Sequence, residues 1–295
     1  MFTRADALTE GWTDSAIRHA VASKSCLRVK RGVLVGAESD LVRGVGREHA
    51  VAAQHDRAAA PDTHRVANLT RARATVRLCQ RAVVSHASAL IAHDLPTVCA
   101  VDRACVTVPA GTALRALADV HLHRASLSAA DLVESGGART TAVARTVLDV
   151  AREHGVDAGV CAADAALNRG LLTLVELEDA FARCVNWPGR AAARATIELC
   201  DALAESPLES ISRLRLDSHC IATPRLQVSI GDEWGHFLAR PDFYWPEFGV
   251  VGEADGNVKY QSRWDLVVGA GGPAAAHAAH ANQPRASVHP DRLHP

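Results

Sequence analysis

The chain has 295 residues, 48% of them hydrophobic, and a formal net charge of −1. That length predicts about two domains with enough apolar side chains for a core. There is no basic leader followed by an apolar run, no apolar stretch long enough to span a bilayer, and neither glycine-rich phosphate-binding pattern, GxGxxG or GxxxxGK[ST]. A secreted, membrane-spanning or nucleotide-driven protein is therefore not expected, and a cytoplasmic location is.

Phe2 to Glu10, Gly11-Trp12 and Thr13 to Ser23 read as two short helices joined by a turn, with Thr13 as the second N-cap and Ile17, Ala20 and Val21 on one buried face. In CLRVKRGVLV, Leu27, Val29, Arg31, Val33 and Val35 alternate with Arg28, Lys30, Gly32 and Leu34, which predicts a β-hairpin bent at Gly32. Between Thr13 and Arg31 five basic residues, Arg18, Lys24, Arg28, Lys30 and Arg31, stand against one acid, Asp14. Helix, helix and basic hairpin in that order suit a recognition helix in a major groove and a wing on phosphates. The segment resembles the N-terminal winged-helix domain of the AbiEi-type abortive-infection antitoxins and their actinobacterial relatives. The resemblance implies operator DNA as a partner, with Arg18 and His19 facing bases, Arg28, Lys30 and Arg31 on the backbone, and Lys24 in the same DNA-binding set. It also implies a cognate toxin protein. A small helical cap whose basic residues are simply solvated is the alternative.

Residues 46–195 form a mixed middle region. Gly46 to Arg81 is rich in Ala and Arg and reads as helices, Arg47-Glu48-His49 opening one and Asn68 to Val83 forming another. Val83-Val84 precedes a helix capped by Ser85, running to His93 and ended by Pro96. His86, Ser88 and His93 suggest a nucleophile with a base, but helical residues at i and i+2 point apart, so Ser88 is read as structural. Strands follow at Ala104 to Val108 and Val120 to Arg124, then a helical pair from Arg139 to Phe181, in which Arg145, Thr146 and Asp149 make a polar anchor serving packing and capping. The blocks RTVLD and AADAAL are similar to the middle region of the same antitoxin-like family, so the resemblance covers residues 1–260. Eight cysteines, none in a CxxC pair, predict reduced, buried thiols and no zinc knuckle.

In ESPLESISRLRL, Ser206 reads as an N-cap, Pro207 as the first helical residue and Glu209 as turned back on the helix start. His236 to Trp245 and Gly249 to Asp255 read as a β-hairpin turned at Pro246 to Phe248. Val251, Glu253 and Asp255 then share one side, opposite Val250, Gly252 and Ala254. Asp242, Glu253 and Asp255 together offer oxygen ligands for Mg²⁺, which can activate water for attack on a phosphodiester. The segment resembles the PD-(D/E)xK nuclease superfamily, in particular the branch similar to very-short-patch repair endonucleases. Pro241-Asp242 matches the PD element and Glu253 the acid of the next strand. The pattern departs at the third position: Asp255 stands where Lys is usual, and Lys259 lies four residues further on. Either Lys259 reaches back to steady developing charge, or the site is a binding relic. The resemblance also implies an upstream helical acid, for which Glu209 is the candidate; a capping role for Glu209 and a solvated hairpin edge for Asp242 and Glu253 are the plainer alternatives.

From Asp265 onward the chain has no Lys or Glu and is dominated by Ala, Gly, Pro and His, which predicts a disordered tail over 263–295. His277, His280, His289 and His294 lack ligand spacing and are not expected to hold a metal. The break in composition suggests a change of reading frame or gene decay near residues 261–268, leaving the nuclease-like domain, 196–262, truncated. The sequence as a whole predicts an α+β protein with a winged helix-turn-helix over 1–45, the mixed middle, and an incomplete restriction-endonuclease-like α/β domain. Its expected function is that of an antitoxin-like DNA-binding regulator, with a Mg²⁺-dependent endonuclease or an inactive gene product as alternatives.

Overall fold

The computed structural model describes residues 1–36, 61–114, 118–254 and 287–290. These residues form an α+β fold of several small sheets interleaved with helices. The helix expected to open at Arg47 lies outside them.

The chain starts in β1 (Phe2–Thr3), and Thr3 then caps α1 (Arg4–Thr9). Thr3 Oγ1 accepts from Asp6 N at 3.0 Å, and the Asp6 carboxylate takes the Thr3 N–H at 2.8 Å, so two orphan donors at the helix start are satisfied reciprocally. That cap makes the first helix shorter than its sequence pattern suggests. α2 (Asp14–Ala22) begins at the expected N-cap, Thr13, whose Oγ1 accepts from Ala16 N at 3.1 Å. β2 (Cys26–Lys30) and β3 (Val33–Gly36) form the expected hairpin around Gly32, whose φ of +88° suits glycine. β1 completes an antiparallel sheet of order β1-β3-β2, and Ala7, Ile17 and Leu34 form the core beneath it.

α3 (Pro61–Leu78) touches all strands of this first sheet and also packs on the next one. Two ion pairs clamp the same junction, Arg77–Asp6 at 2.8 Å and Lys30–Asp119 at 3.3 Å. The second sheet has five strands in the order β6-β5-β4-β8-β7, built from β4 (Val83–Val84), β5 (Ala104–Val108), β6 (Val120–Arg124), β7 (Leu132–Ser135) and β8 (Ala138–Thr141). β5 and β6 lie where the sequence places them and run parallel, as do β4 and β8. Every residue of β5 is buried, as in a strand covered on both faces, and its one polar side chain, Thr107, is satisfied by Ser85.

Helix α4 (His86–Ala92) follows β4, but Ser85 makes no side-chain cap to it. Its hydroxyl accepts from Thr107 Oγ1 at 2.8 Å and lies 3.0 Å from His86 Nδ1 instead, because β5 brings Thr107 alongside. Four more helices close the apolar layer: α5 (Val143–His154), α6 (Val156–Asn168), α7 (Leu174–Ala182) and α8 (Arg190–Leu199). Leu90, Val147, Leu148 and Leu177 lie at its centre. Gly159 lets α6 approach its neighbours, since a Cβ there would sit 2.3 Å from Thr196 Oγ1 and 2.5 Å from Ala151 Cβ.

Within this layer α5 buries charge. Asp149 accepts from Arg145 Nε and from Arg152 Nη1, both at 2.8 Å, and its side chain is 1% exposed. Both guanidiniums stack on Trp187, at 4.1 and 4.6 Å from the ring centre. Thr146 bonds the Thr141 carbonyl at 3.0 Å.

α9 (Pro207–Ser218) packs on α6, where Arg213 pairs with Asp164 at 3.0 Å. It carries the last sheets. β10 (Ile230–Gly231) pairs with β11 (Phe237–Ala239), while β9 (Arg225–Leu226), β12 (Phe243–Trp245), β13 (Val250–Glu253) and β14 (Ser287–Pro290) form a sheet of order β14-β13-β12-β9. The single strand expected from His236 to Trp245 is thus two strands in two sheets. They are separated at Arg240-Pro241-Asp242, where proline offers no N–H to continue a ladder. β14 lies within the tail, and its four residues pair antiparallel with β13 at the sheet edge. Phe243 and Trp245 fill the core below, and Gly252 leaves room for the Trp245 ring, to which a Cβ would come within 3.2 Å.

All eight cysteines are free, but Cys220 is exposed, in contrast to the expected burial. Among the described residues no helix is long and apolar enough to cross a membrane. Asp149→Ala leaves the buried guanidinium of Arg145 and the half-buried one of Arg152 without their shared carboxylate, and is expected to destabilise the fold by about 3–5 kcal/mol in urea denaturation.

Candidate nucleic-acid interface and carboxylate site

The apolar stripe of α2 fixes which of its residues meet solvent. Ile17 and Ala20 turn inward, so Arg18 and His19 are exposed on the opposite side. Lys24 follows the C-cap Ser23 in the left-handed region, φ 59°, and is also exposed. The local acid, Asp14, is engaged by Arg4 at 2.6 Å, which offsets its charge beside Arg18.

On the hairpin the basic residues diverge. Arg28 and Arg31 are exposed. Lys30 is not: its side chain is 8% exposed and its ammonium meets Asp119 at 3.3 Å. The cause is a bulge. Arg28 pairs with Leu34, but Lys30, rather than Val29, pairs with Val33. Cross-strand partners share a face, so the extra residue moves Lys30 onto the face of Val33, opposite to that of Arg28 and Leu34, and there it meets Asp119. Simple alternation had placed Lys30 with Arg28. Burial pulls its pKa down while Asp119 pushes it up, and burial prevails. Lys30 ties the hairpin to the middle sheet and is not presented to a phosphate.

The expected acidic residues gather at the other end of the chain. The hairpin register sets Tyr244 opposite Val251 and Phe243 opposite Gly252. One step further out the same register aligns Asp242 with Glu253. Asp242 is pinned there by Ala254, whose N–H donates to Asp242 Oδ2 at 2.8 Å. Glu209 comes in from α9. Its N–H donates to Ser206 Oγ at 3.2 Å, as an N3 residue should, while its carboxylate accepts from Ser206 Oγ at 2.7 Å and Glu205 N at 2.9 Å. The cap is therefore real, and it does not exhaust the carboxylate. Gln227 Nε2 donates to Glu209 Oε2 at 3.1 Å and to Asp242 Oδ1 at 3.2 Å, so one amide joins the helical acid to the strand acid.

Gln227 was not singled out in the sequence. It lies just past β9 with φ 53°, a conformation in which a non-glycine residue is strained. Nothing in its local sequence marks it, because its partners lie 18 and 15 residues away.

For Mg²⁺ the donor chemistry is suitable, since Glu209, Asp242 and Glu253 all offer hard carboxylate oxygens. In the observed arrangement the Gln227 amide takes the point on which the first two converge, so a cation needs that side chain to swing aside. Asp255 and Lys259 lie outside the described residues. In the middle region, Ser88 accepts from Cys105 N at 2.8 Å and donates to Asn68 Oδ1 at 2.5 Å, while His93 bonds the Thr141 carbonyl at 2.7 Å. Ser88 has no histidine on its hydroxyl, in keeping with the structural role read from the sequence.

No family model matches the chain. It is similar to two uncharacterised proteins of Mycobacterium tuberculosis, one from strain CDC 1551 and one from strain H37Rv. Each is 34% identical over 124 residues, 42% of this chain and 45% of the relative. The match thus spans less than half the length of these curated relatives.

Gln227→Leu removes both amide donors from buried Glu209 and half-buried Asp242. A loss of about 1–3 kcal/mol of stability is expected by denaturant titration, and an unchanged midpoint would contradict the bridging role.

Proposed function

We propose that the protein binds duplex DNA through α2 and the β2–β3 hairpin, as an antitoxin-like regulator, and that its C-terminal carboxylates form a nuclease-like site. The observation that carries the reading is the set of exposed basic side chains, Arg18, Lys24, Arg28 and Arg31, displayed by a capped helix and the hairpin that follows it. In this reading α2 enters the major groove with Arg18 and His19 toward base edges, while Arg28 and Arg31 hold phosphates. Lys30 takes no part in contact. A cognate toxin protein is the partner that the antitoxin resemblance suggests.

Charge reversal at Arg28 and Arg31 together is expected to weaken binding to all duplex sequences and to lower the slope of log K against log salt by about 2, measured by fluorescence anisotropy. Lys30→Met should leave that slope unchanged. A slope equal to wild type in the reversed variant would count against the hairpin as the phosphate contact.

A second reading, Mg²⁺-dependent cleavage of DNA, is favoured by the convergence of Glu209 and Asp242 on one amide beside Glu253. Bound Mg²⁺ supplies an acidified water and neutralises phosphate charge. Asp242 and Glu253 would hold it, Asp255 would serve as third ligand or water orienter, and Lys259 would steady the charge that develops. Glu209 positions Asp242 through Gln227. Asp242→Ala and Glu253→Ala should each abolish Mg²⁺-dependent nicking of supercoiled plasmid while leaving the protein folded; nicking that persists in both belongs elsewhere.

A further inference from the structure

A separate constellation lies in the middle region, where α4, β6 and α5 meet. His121 and His123 alternate on β6 and so share a face, His86 opens α4, and Glu153 stands near the end of α5. The His86 and His123 rings stack 3.5 Å apart, centre to centre, and His121 lies 4.2 Å from His123. Both Nε2 atoms of the stacked pair lie 3.7 Å from one oxygen, Glu153 Oε2, as does the Nε2 of the neighbouring His154. Glu153 Oε1 meets His121 Nδ1 at 3.1 Å.

Those separations are informative. At 3.7 Å a nitrogen and a carboxylate oxygen are too far apart to share a hydrogen bond. A tetrahedral ion with bonds of about 2.1 Å separates its ligand atoms by about 3.4 Å. His86 Nε2, His123 Nε2 and Glu153 Oε2 all lie within 4.8 Å of one another, and His123 Nε2 is buried without any hydrogen-bond partner. A buried polar atom left in that state calls for an explanation.

We propose that His86, His123 and Glu153 bind a zinc-class transition-metal ion, with a fourth coordination position left to water or an exogenous ligand. The surroundings favour it. Ser85 Oγ engages His86 Nδ1 at 3.0 Å; with the ring proton on that side, Nε2 presents its lone pair, the way outer hydrogen bonds orient ligating histidines. His86 adopts φ +50°, a strained backbone that aims the ring into the cluster. Burial pushes the His123 pKa down to about 3 and that of His86 well below its ordinary value, so both rings are neutral ligands at pH 7. The nearby guanidiniums of Arg145 and Arg152, which also press His86 down, are both held by Asp149. Two imidazoles and a carboxylate match zinc better than Mg²⁺, which favours oxygen ligands alone. Cys105, with His121 and His123, forms an overlapping group, but burial pushes its thiol up to about 12, which opposes the thiolate a metal requires.

The proposal is independent of DNA binding. To test it, the full-length chain is stripped with a chelator and titrated with Zn²⁺ alone against a chromophoric competitor, and Co²⁺ is added in parallel for its visible spectrum. One equivalent of tight Zn²⁺ is expected. His123→Gln and Glu153→Gln should weaken it by more than the about 10–100-fold typical of losing an outer hydrogen-bond partner, and Cys105→Ser should not. The Co²⁺ form should absorb as a tetrahedral centre without a thiolate charge-transfer band. Circular dichroism reports folding of each variant, and if His123→Gln fails to fold, Glu153→Gln alone decides, since its side chain is 21% exposed and tolerates the exchange. Lack of stoichiometric uptake, uptake unchanged in folded Glu153→Gln, or a thiolate band that Cys105→Ser removes would each overturn the proposal.

Discussion

The ionic group centred on Asp149 governs the middle of this molecule. A carboxylate 1% exposed is tenable only when its charge is matched, and here it is matched twice, by Arg145 and Arg152 from its own helix. Because the guanidiniums also lie against Trp187, the interaction sets the rotation of α5 about its axis as well as its position. With that rotation set, Val147, Leu148 and Val150 face the helical layer, and the same helix ends with Glu153 beside the histidines of β6. A packing constraint, Asp149, and one of the proposed metal ligands, Glu153, thus belong to one helix, one turn apart.

Charge in this chain acquires meaning from its partner. Lys30 and Arg28 look alike in sequence, yet one closes the junction with the middle sheet and the other faces solvent. Glu209 serves its helix cap and still reaches Gln227, and through it Asp242. In both places a small backbone device decides the outcome: a bulge in β2, and the positive φ of Gln227. Such devices are cheap, since each displaces only one or two residues, but they redirect the side chains that carry function.

The three constellations also differ in how they handle water. Arg18, Lys24, Arg28 and Arg31 remain solvated, which suits contacts that are screened by salt and exchanged with counterions. The carboxylates of the C-terminal site run from buried Glu209 through half-buried Asp242 to exposed Glu253, and a neutral amide bridges the first two. In the histidine cluster burial holds the pKa values of His86 and His123 down, which favours their neutral, ligating form.

Local features were legible in the sequence. The Thr13 cap and apolar face of α2, the turn at Gly32, the spans of β5 and β6, and the β12–β13 hairpin depend on residues within a few positions of one another, where hydrogen-bond rules and side-chain periodicity act directly. The approach of Asp242 to Glu253 was readable for the same reason, as the two strands of one hairpin. What only the tertiary structure decided rests on contacts between distant segments. Thr107 draws Ser85 away from its cap, Asp119 receives Lys30, residues 287–290 add a strand to β13, and Gln227 links α9 to β12. The alternation of His121 and His123 was a visible signal, but Glu153 and His86 reach it across 32 and 37 residues counted from His121 and His123 (153 less 121, 123 less 86), through the packing of α4 and α5 on the sheet. Short-range order follows from the chain's own stereochemistry, whereas these encounters exist only because burying the apolar faces of separate elements brings their polar edges together.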